Sequence, residues 1–193
     1  CNNSIQSITG YISFVKNNHI LILLDDNFSK FYIKKIINKY KPNYIFAPQA
    51  FFKRSQHKEI LDLNGFLIAK TKFRKDERIN FLNNVLLTTS GTTQNPKMVR
   101  LSSNNLYVNT KCIIDYLKIK SNHSTITTMP MAYSYGLSII NSHIHSGARI
   151  ILSDKTLFDK IFWESIKRYK ITSFGGVPSF YEILKRLKIE NIK

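Results

Sequence analysis

Two rhythms of apolar and polar positions follow one another along the chain, one helical and one extended. Ile5, Ile8, Ile12 and Val15 recur at helical spacing and predict a helix over Ser4 to Lys16. His19 to Leu24 is a short apolar run closed by Asp25-Asp26-Asn27, which reads as a strand and its turn. Ser29 stands as an N-cap before Phe31, Ile33, Ile36, Ile37 and Tyr40, and Pro42 bars that helix from continuing. Tyr44-Ile45-Phe46 predicts the next strand, ahead of Pro48. Gln49 to Asn64 is polar, basic and weakly periodic, and reads as a loop or a short helix. Gly65 to Ala69 reads as a strand, and the highly charged Lys70 to Asn80 as an exposed segment. Val85-Leu86-Leu87-Thr88 predicts a buried strand that runs into a Ser/Gly/Thr loop. Ser102 or Ser103 then caps a helix carrying Leu106, Thr110, Ile113, Ile114 and Leu117. The second half predicts strands at Ser124 to Met129, Ala148 to Leu152 and Ile171 to Gly175. Its helices fall at Tyr135 to His145, Phe158 to Tyr169 and Ser179 to Leu187, with Gly147 at a helix C-cap. This alternation predicts an α/β fold, a mostly parallel sheet with crossover helices. No linker and no internal repeat divides it.

Composition narrows the class. The chain has 193 residues, 43% of them hydrophobic, which suits one α/β domain or part of one. No apolar run approaches the roughly 18 residues that a membrane helix needs, and no signal-peptide pattern opens the sequence. Position 1 is Cys, not Met, so the expectation is that the native start is missing or processed. Cys1 and Cys112 make no disulfide framework and no zinc-like spacing, which predicts a reduced, cytoplasmic protein. The net charge of +17 allows a polyanion partner such as nucleic acid or an anionic membrane. It equally describes a Lys-rich solvated surface. The basic residues are scattered (Lys34-Lys35, Lys39, Lys41, Lys53-Arg54, Lys70, Lys72, Arg74-Lys75), which favours the solvated surface and disfavours nucleic acid.

The chemistry concentrates in Leu87-Thr88-Thr89-Ser90-Gly91-Thr92-Thr93-Gln94-Asn95-Pro96-Lys97. Small hydroxyl residues and a Gly after a buried strand let a backbone approach a ligand and offer donors to phosphate oxygens. Lys97 adds a positive charge. An ordinary polar turn has the same composition, so both readings stand on composition alone. A Walker A loop does not fit, because Pro96 replaces its second Gly and Met98 supplies no hydroxyl for magnesium.

The segment closely resembles the phosphate loop of the adenylate-forming superfamily: acyl-CoA synthetases, luciferases and peptide-synthetase adenylation domains. The family reads approximately Thr-Ser-Gly-Thr-Thr-Gly-x-Pro-Lys-Gly. The chain matches it at Thr89, Ser90, Gly91, Thr92, Thr93, Pro96 and Lys97, and departs from it at Gln94 and Met98. Met129-Pro130-Met131-Ala132-Tyr133-Ser134-Tyr135-Gly136 is similar to the family's Pro-x-x-His-x-x-Gly, with Tyr133 where His is common. Thr172 to Tyr181, containing Gly175-Gly176-Val177-Pro178, is similar to the family's strand-turn-helix ending in Val-Pro-Thr and an aromatic.

The resemblance implies an enzyme that activates a small-molecule carboxylate with ATP and magnesium, releases pyrophosphate, and passes the acyl adenylate to a thiol such as coenzyme A or a carrier-protein arm. It implies that Thr89, Ser90, Gly91, Thr92, Thr93 and Lys97 bind the cofactor phosphates. It also implies that Tyr133, Gly176, Val177 and Pro178 border the acyl substrate, although for Tyr133 simple packing at a strand end is an equal alternative. The family's Tyr-Gly-x-Thr-Glu (magnesium), Thr-Gly-Asp (ribose) and C-terminal catalytic Lys do not occur among these 193 residues. The expectation is therefore a partial N-terminal AMP-binding domain over residues 1–193, inactive alone, with no catalytic or metal residue of its own. Two alternatives remain: a basic anion- or nucleic-acid-binding module, and a non-catalytic relative of the family. Elsewhere, His143 and His145 are two apart on a predicted helix and make a poor metal pair, and Asp25-Asp26 suit a strand-end turn. Phe158, Phe162, Trp163 and Tyr169 recur at a spacing that predicts core packing.

Overall fold

A computed structural model describes residues 1–52, 58–73, 84–88 and 97–186. The chain divides into two compact units, Cys1–Ser103 and Asn104–Lys193.

In the first unit, α1 (Ile5–Lys16) begins at Ser4, whose hydroxyl accepts the Ser7 N–H and so satisfies a donor that the helix cannot satisfy itself. Strand β1 (Leu21–Leu23) follows. Helix α2 (Lys30–Tyr40) is capped by Ser29 through Tyr32 N–H. It ends at Lys41, which takes a left-handed conformation directly before Pro42. Strand β2 (Tyr44–Pro48) pairs antiparallel with β4 (Phe66–Lys70), which pairs antiparallel with β3 (Lys58–Leu63). β5 (Asn84–Thr88) lies parallel to β1 and antiparallel to β6 (Met98–Ser102). Ile8, Tyr11, Leu23, Ile36, Phe66, Leu67, Ala69, Val85 and Leu87 form the core.

The second unit carries α3 (Ser103–Leu117) apart from its first residue, then β7 (Ser124–Ile126), α4 (Ser134–His145) and β8 (Arg149–Ile151). α5 (Lys160–Arg168) and α6 (Pro178–Arg186) complete it. β7 and β8 are parallel across the α4 crossover, and Ser173 extends this pairing through a parallel bridge to Thr125. Gly147 takes φ +66° just past α4, as expected of a helix exit. Ile126, Leu157 and Phe162 are the buried centre, and Trp163 packs beside them while donating its indole N–H to the Leu157 carbonyl at 2.9 Å.

The α/β class with crossover helices is observed. Parallel pairs occur where a helix intervenes: β1-β5-β6 is mixed, β7-β8 is parallel, and β2-β4-β3 is wholly antiparallel, with only its β3–β4 pair a hairpin. Four local expectations change. No strand forms at Ile171 to Gly175: only Ser173 bridges to Thr125, because the segment is otherwise held by the Thr172 and Thr128 side chains and not by a ladder. Gln49 to Asn64 contains a short 3₁₀ turn (Gln49–Phe51) and β3. The cause is Asn64-Gly65, whose φ values of +48° and +85° make the two-residue turn that folds β3 onto β4. β6 was not expected and owes its existence to pairing with β5. Phe158 is 72% exposed, outside the core, because the Asp159 carboxylate binds Thr156 N–H and Oγ1–H in the turn that contains Phe158, and α5 starts only at Lys160.

Candidate active site

Strand β5 is placed by its apolar residues: Val85 and Leu87 are buried, and Leu87 lies opposite Leu23 of β1. At its end Thr88 pairs with Met98, the first residue of β6. The candidate phosphate segment is thus the connection of a hairpin whose two ends are held by a β-ladder. Thr88 is itself buried, and its Oγ1 has no hydrogen-bond partner among the described residues. Thr89, Ser90, Gly91, Thr92 and Thr93 lie outside the described residues. Lys97 is described; it is exposed and directly precedes β6.

The second segment lies in the other unit. Met131 and Ala132 are fully buried and anchor a turn in which Tyr133 N–H donates to the Pro130 carbonyl at 3.1 Å. Tyr133 then takes the N-cap position of α4 with extended backbone angles and no side-chain cap bond. Its side chain is half-buried. Gly136 presses the first turn of α4 onto this segment: a Cβ there would lie 2.2 Å from the Pro130 carbonyl oxygen.

The third segment is tied to β7. Thr172 exchanges hydrogen bonds with the Ser124 backbone at 2.9 Å, and Thr128 Oγ1–H donates to the Gly175 carbonyl. The rings of Phe174 and Phe180 meet at a tilt, 5.8 Å apart, and carry the segment into the core. Gly176 lies under the Phe180 ring, with no room for a Cβ. Val177 is 38% exposed, and Pro178 opens α6, where its fixed φ and missing N–H suit a first helical position.

The second and third segments therefore adjoin, through Thr128 to Gly175 and through Tyr135 and Ile139 of α4, which close on Gly175. Lys97 belongs to the first unit, and Tyr133 and Gly176–Pro178 to the second. The sequence had not singled out Thr128 or Tyr135, which join these two segments at Gly175. His143 is buried with Nδ1 at 2.8 Å from the Ile139 carbonyl, whereas His145 is exposed against the Tyr107 ring, so the two do not share a ligand. Among the described residues, no group of three His, Cys, Asp or Glu side chains is placed to hold a metal, and no helix is long and apolar enough to cross a membrane.

Taken together, these features define an α/β protein with the β5–β6 hairpin in one unit and turns closely packed at Gly136, Gly175 and Gly176 in the other. The model of the AMP-binding enzyme family matches residues 1–193, and the chain belongs to that family. The oxalate–CoA ligase of Arabidopsis thaliana is 32% identical over 102 residues, covering 52% of this chain and 20% of that protein. The D-alanine–D-alanyl carrier protein ligase of Staphylococcus aureus (strain bovine RF122 / ET3-1) is 24% identical over 179 residues, covering 91% of this chain and 37% of that protein. The chain thus spans between a fifth and two fifths of these relatives' lengths. Its fold matches the o-succinylbenzoate CoA synthetase MenE from Bacillus subtilis with a TM-score of 0.72 at 16% identity, over 96% of this chain and 50% of that one.

Proposed function

We propose that this chain is part of the N-terminal domain of an AMP-forming ligase, which activates a carboxylate with ATP and hands the acyl group to a thiol. The observation that carries the proposal is the pairing of Thr88 with Met98 at the two ends of a hydroxyl-rich sequence that closes with Lys97, in a chain matched throughout by the AMP-binding family. The two curated relatives are named for joining oxalate to CoA and D-alanine to a carrier protein, which supports a thiol acceptor.

In the proposed reaction a carboxylate oxygen attacks the α-phosphorus of ATP. The bond from that phosphorus to the β-bridging oxygen breaks, and pyrophosphate leaves with the electron pair. Charge accumulates on the departing oxygens. Donors already aimed there lower the barrier without reorganising. Thr89, Ser90, Gly91, Thr92 and Thr93 supply hydroxyl and amide donors for this purpose, and Lys97 supplies a cation. These residue types fit a polyphosphate. Magnesium, when bound, would offset phosphate charge. Its ligand, like the ribose-binding Asp and the catalytic Lys, is assigned to parts of the protein beyond these residues. Tyr133 and the Gly176-Val177-Pro178 turn border the carboxylate in this reading. The thiol then attacks the acyl carbon and AMP departs.

The test is carboxylate-dependent exchange of labelled pyrophosphate into ATP by the full-length gene product. Thr92→Ala and Lys97→Ala should each lower exchange by about one to three orders of magnitude. Wild-type rates in both variants would refute the assignment of the loop.

A further inference from the structure

We infer that the outer face of α2 docks on an anionic lipid membrane, its lysines meeting the headgroups and Phe31 serving as an aromatic anchor among them. This goes beyond the proposed ligase activity and does not depend on it.

Lysines that look scattered in the sequence meet on one helix. From Asn27 to Lys58 the chain contains no Asp or Glu, yet it carries Lys30, Lys34, Lys35, Lys39 and Lys41. The first four lie in α2, and Lys41 is its C-cap. The buried Ile36, with the half-buried Tyr32, Ile33, Ile37 and Tyr40, turns the other side of α2 onto the protein. At helical spacing Lys30, Lys34 and Lys41 fall on one outward stripe, Phe31 and Asn38 on the next, and Lys35 and Lys39 beyond them. Phe31 therefore stands between two rows of cations. It is 70% exposed, and Lys35 Nζ lies 4.6 Å from its ring centroid.

The basic zone continues past the helix. Thr71 Oγ1–H donates to the Pro42 carbonyl at 2.5 Å, and Thr71 N–H to the Asn43 carbonyl at 2.9 Å. These bonds bring the exposed Lys70 and Lys72 beside the exit of α2. The flanking acids do little to offset this charge. Asp25 is buried and accepts the Asn27 N–H, and Asp62 accepts the Gly65 N–H at the opposite end of β4. Asp26 is exposed, ahead of the Ser29 cap.

Two properties favour a lipid surface over nucleic acid. The cations of this face are all lysine, hydrated point charges on flexible stems that suit mobile headgroups, whereas bidentate reading of phosphates and bases favours Arg. Phe31 offers no hydrogen bond, and an exposed ring among lysines fits the boundary between headgroups and acyl chains. The apolar side of α2 is already taken by the protein, so the helix rests on the surface and only this ring enters it.

The test is sedimentation of the full-length gene product with vesicles of phosphatidylcholine alone and of equal parts phosphatidylcholine and phosphatidylglycerol. Binding should be confined to the anionic vesicles and should weaken as salt is raised. The double variant Lys30→Gln/Lys34→Gln, its fold checked by circular dichroism, should lose about 25-fold in vesicle affinity, roughly fivefold for each lysine near an anionic leaflet. Phe31→Trp should shift its fluorescence to the blue on anionic vesicles, beyond any change that the wild type shows through Trp163. Equal binding to both kinds of vesicle overturns the inference, as does wild-type affinity in the double variant. An unshifted spectrum in vesicle-bound Phe31→Trp overturns it too. A DNA duplex that binds more tightly than the anionic vesicles, and loses affinity in the double variant, assigns the face to nucleic acid instead.

Discussion

Replacing Gly136 with Ala tests how the turn before α4 is built. An alanine Cβ would sit 2.2 Å from the Pro130 oxygen, 2.6 Å from the Pro130 carbonyl carbon and 2.8 Å from the Met129 oxygen. All three are backbone atoms, so no side chain can rotate away. The Pro130 carbonyl is further held by Tyr133 N–H, and the two buried residues Met131 and Ala132 prevent the turn from lifting. Overpacking of this kind costs about 1–3 kcal/mol. Losing the Tyr133 to Pro130 hydrogen bond adds about 1 kcal/mol, and the better helix propensity of Ala returns about 1 kcal/mol. The net expectation is a loss of about 1–3 kcal/mol. With a urea m-value near 2 kcal/mol/M, the midpoint should fall by about 1 M. Urea titrations of wild type and Gly136→Ala, followed by circular dichroism, measure this directly. A midpoint equal to or above that of wild type would show that the turn relaxes freely, and the reasoning would fail.

Two further outcomes are expected. His143 is buried and its Nε2 has no hydrogen-bond partner among the described residues, while its Nδ1 faces the Ile139 carbonyl. Burial holds its pKa below the usual 6.5; the Ile139 carbonyl opposes this, and the nearby His123 reinforces it. Below pH 6.5 the unfolded chain therefore binds the proton first. Stability should fall as pH drops from 6.5 toward the folded pKa, by up to about 1.4 kcal/mol per pH unit, and should be fully present above 6.5. His143→Gln should flatten that slope in urea midpoints measured from pH 7.5 to 5; an identical slope would refute the role of His143. In addition, the 193 residues purified alone should give no carboxylate-dependent pyrophosphate exchange above a protein-free control, and clear exchange would place the missing catalytic groups within this chain.

Local signals carried most of the fold. The caps at Ser4 and Ser29, the stop at Pro42 and the exit at Gly147 each follow from a side chain or a φ value that acts within a few residues. The errors fell where distant pairing decided the outcome. Met98–Ser102 has little alternation of its own, and two of its residues are exposed, so only its partner β5 makes it a strand. Lys58–Leu63 is similar, although Asn64-Gly65 announced its hairpin. Phe158 kept helical spacing with Phe162 but lay before the point where Thr156 and Asp159 allow a helix to begin.

The candidate site divides along the same line. Thr89 to Lys97 could be proposed as chemistry because hydroxyls, Gly and Lys offer donors and charge in their own atoms. What the letters did not show is that Thr88 and Met98, which flank the segment, are partners in one ladder anchored by the buried Val85 and Leu87. In the second unit the reverse holds. Gly136, Gly175 and Gly176 have no side-chain chemistry, and each matters because another group occupies the space a Cβ would need: a carbonyl, a phenol with an isoleucine methyl, and a phenyl ring. A glycine of this kind can be read in sequence but not explained there, since the atom that requires it comes from another turn of the chain.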